Sequence, residues 1–87
     1  MKVWFSFASR EYGISSIIND TDLLDKRYVE DYISYDVPNK VMELSNKKRE
    51  SIAKYIVDHY RDIVRELSKG MMYEVVINKC IIKIYRP

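Results

Sequence analysis

Eight apolar residues between positions 52 and 67 return at three- and four-residue steps: Ile52, Ala53, Ile56, Val57, Tyr60, Ile63, Val64 and Leu67. At about 100° of turn per residue they fill one face of an α-helix. Such a face must be laid against other apolar surface, so the chain needs a second layer. Gly70 stands where a left-handed residue would stop the helix. Upstream, Pro38 suits a first helical turn. A start at Ser45 or Asn46 would instead set Lys47, Lys48 and Arg49 at the positive end of the helix dipole, which is unfavourable. The reading is therefore one long helix from about 39 to 69, with a bend admitted near Ser45, where Ser45 and Arg49 interrupt the apolar face. Glu50–Lys54, Asp58–Arg61 and Asp62–Arg65 are spaced to pair along it.

The second layer is legible at both ends of the chain. Residues 72–77 and 80–86 are rich in β-branched and aromatic side chains, the mark of strands. Asn78-Lys79 between them is a two-residue turn, and Asn tolerates positive φ. In that register Ile77 faces Cys80, Val75 faces Ile82 and Tyr73 faces Ile84 on one side, while Glu74 meets Lys83 on the other as an opposite-charge pair. Residues 2–8 alternate as a third strand with Val3, Phe5 and Phe7 on one face. Strand 80–86, richest in Ile, is placed in the centre. Residues 9–20 read as irregular, turning at Gly13. Residues 22–35 read as a shorter helix capped by Thr21 or Asp22, with Leu24, Tyr28, Tyr32 and Tyr35 on one side and Val29 and Ile33 beside them. The expected fold is α+β in the order β-α-α-β-β: a small three-stranded sheet with a C-terminal hairpin, packed against one long and one shorter helix.

Length and composition bound the function. Eighty-seven residues make a single domain, 1–87. A core this small leaves little depth for a catalytic cleft. One Cys and one His cannot supply an ordinary four-ligand zinc site, so neither a metal nor a cofactor is expected. The two glycines, Gly13 and Gly70, are too far apart to form a phosphate-cradling loop. No run of 18 apolar residues is present, so no transmembrane helix and no membrane partner are expected. The N-terminal run lacks the form of a secretory signal, and the lone Cys80 fits a reducing compartment, which together point to the cytoplasm. Without a signal, the glycosylation-like Asn19-Asp20-Thr21 reads as coincidence.

Three stretches invite a functional reading. The formal charge of +2 conceals segregation: residues 20–36 carry six acids and two bases, a net of −4, and residues 37–87 carry a net of +5. Within the acidic third, Tyr28, Glu30, Asp31, Tyr32, Tyr35 and Asp36 mix aromatic area with negative charge, the materials of a protein interface. On the outer face of the sheet, Trp4, Met72, Val76, Ile81 and Tyr85 form a second candidate interface, open to homodimerisation. Lys47, Lys48 and Arg49 are the densest basic cluster and the candidate site for nucleic acid. His59, at the edge of the long helix's apolar face, is the sole candidate general base. Cys80 points inward and reads as a small apolar residue.

The expectation is a small non-enzymatic protein-binding module, a regulator or stoichiometric inhibitor of a larger protein or complex. Nucleic-acid binding by the basic helix is the alternative. Size and character are similar to those of accessory proteins of phages and mobile elements, an analogy that rests on no motif. The order strand, two helices, hairpin is also compatible with small ribonuclease toxins. Those need further strands and a clustered catalytic set that these residues do not supply.

Overall fold

The structure, a computed structural model, describes residues 1–9, 13–35 and 46–87. Its elements are β1 (Lys2–Ala8), β2 (Gly13–Asn19), a 3-10 turn (Asp20–Leu24), α1 (Lys26–Tyr35), α2 (Asn46–Asp58), α3 (Tyr60–Ser68), β3 (Tyr73–Ile77) and β4 (Cys80–Tyr85). The strands form one antiparallel sheet in the order β2-β1-β4-β3. One face of that sheet packs against the helices. Val3, Phe5 and Phe7 of β1 and Ile82 and Ile84 of β4 are buried there with Leu23, Val29, Ile33, Ile52, Ile56, Ile63 and Leu67. None of the described helices is long and apolar enough to cross a membrane.

The hairpin has the expected register, with Ile77 opposite Cys80, Val75 opposite Ile82, Tyr73 opposite Ile84 and Glu74 opposite Lys83. Asn78 and Lys79 both take positive φ, 52° and 67°. That is a type I′ turn, whose twist matches that of the strands it joins. Lys83 Nζ lies 3.6 Å from Glu74 Oε1.

The sheet has four strands rather than three. Residues 13–19, expected to be irregular, pair with β1 along its whole length, Val3 opposite Ile18 and Phe7 opposite Ile14. The period was hidden because an inward position holds Ser16. Its hydroxyl donates to Tyr32 Oη at 3.0 Å, and Tyr32 in turn donates to the Phe5 carbonyl at 2.6 Å. A polar residue is tolerated there because it is hydrogen-bonded. With β2 added, β4 shares the centre of the sheet with β1.

Both helical readings are corrected in detail. Residues 20–35 hold two short helices, not one. Asp22 accepts from the Asn19 amide at 3.1 Å at the start of the 3-10 turn. Asp25 is extended and accepts from the Tyr28 amide at 3.1 Å at the start of α1. Asp22, the third residue of the turn, closes a capping box on Asn19, and Asp25 caps α1. The break shifts the phase: Val29 and Ile33 are buried, while Leu24 and Tyr28 lie exposed.

The long helix is likewise divided, at His59. Its first part, 39–45, and the bend near Ser45 lie outside the described residues. His59 has φ −105° and ψ 15°. Its ring Nδ1 lies 2.8 Å from the Tyr55 carbonyl oxygen, which also accepts the His59 backbone N–H at 3.0 Å. A side chain bonded to the carbonyl four residues back competes with the helix ladder and bends it. Lys54 pairs with Asp58, 2.8 Å apart, rather than with Glu50, and Asp62 meets Arg65 at 3.3 Å as spaced. Gly70 at φ 77° ends α3. The Met71 amide reaches the Glu66 carbonyl and the Gly70 amide the Leu67 carbonyl, each at 3.0 Å, which is a Schellman closure.

Candidate functional site

The acidic third is built on the 3-10 turn and α1, and the structure separates its residues by role. Tyr32 belongs to the fold. Its ring stacks on Phe5 at 4.5 Å and 16°, and its hydroxyl joins Ser16 to the Phe5 carbonyl. A partner cannot use that hydroxyl without breaking the link between α1 and the first two strands. The side chain of Tyr35, and Asp36, lie outside the described residues. Glu30 is half-buried and 3.8 Å from Lys26. Asp31 is exposed.

Tyr28 stands at the exposed side of α1, one turn from Asp31. Burial of part of the ring, and then the nearby negative charge of Asp22, push its hydroxyl above the ordinary phenol value. Leu24, at the end of the 3-10 turn, is 50% exposed; the sequence pattern had set it on one helix side with Tyr28, Tyr32 and Tyr35. Leu24 and Tyr28 thus present apolar and aromatic surface next to Asp22, Asp25 and Asp31. Leu24, Asp22 and Asp25 were absent from the interface set read from sequence. Asp25 was the available signal, a capping residue type standing directly before the run Lys26–Tyr35.

Asp20 is the one buried charged residue among those described. Its carboxylate accepts from the Met1 ammonium at 2.8 Å and from the Tyr60 hydroxyl at 3.1 Å. Burial pushes the carboxyl up, but these hydrogen bonds and the ammonium charge outweigh it and hold the group below its ordinary value. The network ties the first residue of the chain to the turn after β2 and to the start of α3. Its role is structural.

The outer face of the sheet is the second surface. Trp4, Met72, Val76, Ile81 and Tyr85 all lie on or beside it, as alternation predicts. Val76 is 65% exposed, Met72 50% and Ile81 41%. Ile17, contributed by the unforeseen β2, adds to them at 48%. Trp4 and Tyr85 are cross-strand neighbours, stacked with centroids 6.3 Å apart.

Lys47 and Lys48 are exposed and Arg49 half-buried on α2, where the described residues resume. Lys48 and Arg49 already have interaction partners within the fold. Lys48 lies near enough to Cys80 for its charge to lower the thiol's pKa, against the burial that raises it more strongly. Cys80 is buried, as its place on the inner face of the hairpin implies.

His59 lines a shallow hollow of about 220 Å³ with Ser51, Lys54, Tyr55, Asp58 and Ile77. Its ring stacks on Tyr55 at 3.8 Å. A carbonyl only accepts, so the Nδ1 facing Tyr55 carries the proton and Nε2 is the atom left to accept one. In a serine–histidine–carboxylate triad the carboxylate holds Nδ1. Here a backbone carbonyl holds it, and the Asp58 carboxylate is engaged by Lys54, which keeps it below its ordinary pKa. Tyr55 and Tyr73 share a hydrogen bond of 3.2 Å behind the hollow. Burial, then that bond, push the Tyr73 hydroxyl far above its ordinary value. The Tyr55 carbonyl thus takes both the ring and the backbone N–H of His59 at the point where α2 gives way to α3. Among the described residues, no three His, Cys, Asp or Glu side chains converge as metal ligands.

No family model matches the chain, and neither the curated proteins nor the solved structures contain a match to it.

Proposed function

We propose that this protein acts by binding another protein, as a regulator or stoichiometric inhibitor, through the acidic surface of the 3-10 turn and α1. The observation that carries the reading is the exposure of Leu24 and Tyr28 beside Asp22, Asp25 and Asp31. An apolar and aromatic centre excludes water and supplies contact area, and the surrounding carboxylates steer a basic surface towards it. The partner is accordingly a protein with a basic patch around an apolar depression. Tyr28 and Leu24 are the contact residues, and Asp31 acts on the rate of encounter.

The alternative, nucleic acid on Lys47, Lys48 and Arg49, draws less support, because acids at Glu50, Asp58, Asp62 and Glu66 interrupt the basic stripe that follows the cluster. The two readings separate by experiment. Replacing Tyr28 with Ala and Asp31 with Lys together should weaken binding to the captured partner by about tenfold or more, typical of losing one anchor and one steering charge. The variant should stay folded by circular dichroism, with some loss of melting temperature because the Tyr28 ring is partly buried. Unchanged affinity would remove this surface from the account. Salt-steep binding to RNA or DNA, lost when Lys47, Lys48 and Arg49 become Ala, would replace the reading with the alternative.

A further inference from the structure

We propose that the protein pairs with a second copy of itself through the outer face of its sheet, with the two-fold axis running parallel to the strands. The strand register orders that face into three rows. Ile17, Trp4 and Tyr85 form one; Ser15, Ser6, Lys83 and Glu74 the next; Gly13, Ala8, Ile81 and Val76 the third. Two apolar rows thus enclose a polar one. A sheet face exposed to water would carry polar residues at most of these positions.

The rows also show what fits on them. In the second and third rows the β2–β1 half is small and uncharged: Gly13, Ala8, Ser6 and Ser15. The β4–β3 half is large or charged: Ile81, Val76, Lys83 and Glu74. A two-fold axis along the strands lays β1 of one copy over β4 of the other. Ala8 then meets Ile81 and Gly13 meets Val76, small against large. The serines meet Lys83 and Glu74, so hydroxyls face charges and no like charges collide. An axis across the strands would set Lys83 against Lys83 and Glu74 against Glu74, which is repulsive. The second and third rows are therefore complementary to themselves in one orientation, the first row sets Trp4 over Tyr85 of the other copy, aromatic on aromatic, and two such twisted sheets pack at about 30° to one another.

Its size sets the strength of the contact. Four strands about 4.8 Å apart and three rows about 6.8 Å apart span roughly 400 Å² per copy. Two copies bury about 800 Å² before the relief of Trp4 and Tyr85 is counted. Specific interfaces begin near about 1,000 Å², so the dimer is reversible and dissociates on dilution. The helices lie on the other side of the sheet, so pairing leaves both acidic surfaces open. The inference is independent of the proposed partner site.

The test is sedimentation equilibrium of the full chain over a wide concentration range, read together with the emission of Trp4, the only tryptophan. The wild type should pass from monomer to dimer as concentration rises, with Trp4 emission moving to shorter wavelength. Val76→Glu and, separately, Ala8→Phe should each raise the dissociation constant at least tenfold. Circular dichroism should show both variants folded, and Val76→Ser is the milder change if the glutamate variant is not. A wild type that stays monomeric to millimolar concentration overturns the proposal. So does a dimer that neither substitution weakens, and a dimer weakened by Val76→Glu alone overturns the orientation.

Discussion

The hydroxyl of Tyr32 offers the sharpest test of how the fold is held. It donates to the Phe5 carbonyl at 2.6 Å and accepts from Ser16 at 3.0 Å, so one atom joins α1 to β1 and β2. Tyr32→Phe keeps the ring on Phe5 and removes that atom alone. Two hydrogen bonds of about 1 kcal/mol each are lost, and a part-buried carbonyl and hydroxyl are left wanting partners. The expected loss is about 2–3 kcal/mol, roughly 10–20 °C in melting temperature for a chain of this length. Adding Ser16→Ala removes one of the stranded groups. The double variant should therefore be more stable than additivity allows, by about 1 kcal/mol. The assay is a urea titration of the four members of the cycle, with far-ultraviolet dichroism as readout. A neutral Tyr32→Phe, or strictly additive effects, would refute the reasoning and return Tyr32 to the list of surface residues.

Three further outcomes follow from the geometry. The Asp20 carboxyl is held below its ordinary pKa by the Met1 ammonium and Tyr60. A depressed carboxyl contributes stability that is complete above its unfolded value of about 3.9 and is lost as pH falls through the folded one. The wild type should therefore lose stability below about pH 4, and Asp20→Asn should lower stability at pH 7 while flattening that acid limb. A wild-type acid limb unchanged in the variant would show that Asp20 is not its source. Lys79, a side chain at φ 67°, should yield about 0.5–1 kcal/mol of stability when changed to Gly, the favoured second residue of a type I′ turn. Gly70, at φ 77° with open space around it, should cost about 1 kcal/mol when changed to Ala, from backbone strain and not from a clash. Thermal melts of both variants check these signs.

The parts of the fold that were legible in sequence are those set by neighbouring residues. The hairpin register followed from alternation and from the Glu74–Lys83 pairing. The inward set Val3, Phe5 and Phe7, and the outward set Trp4, Val76 and Ile81, followed from a period of two. Gly70 marked its helix end. The misses share another cause. Strand β2 was hidden because Ser16, at an inward position, is satisfied by Tyr32, a residue distant in sequence. The break at His59 depends on a ring nitrogen bonding to a carbonyl, which no hydrophobic period records. Tyr32 looked like interface material because an amphipathic pattern cannot tell a wet hydroxyl from one that reaches backbone. Leu24 was grouped with Tyr32 on one helix side because the cap at Asp25, which shifts the phase of α1, went unread.

We propose that the protein works by gripping one basic protein through Leu24, Tyr28 and Asp31. The most direct measurement is quantitative capture from source-cell lysate after nuclease treatment, with the wild type and the Tyr28→Ala, Asp31→Lys variant side by side. One protein should be recovered in near-equal amount by the wild type and lost by the variant. Recovery that vanishes with nuclease, or that the variant retains in full, would contradict it.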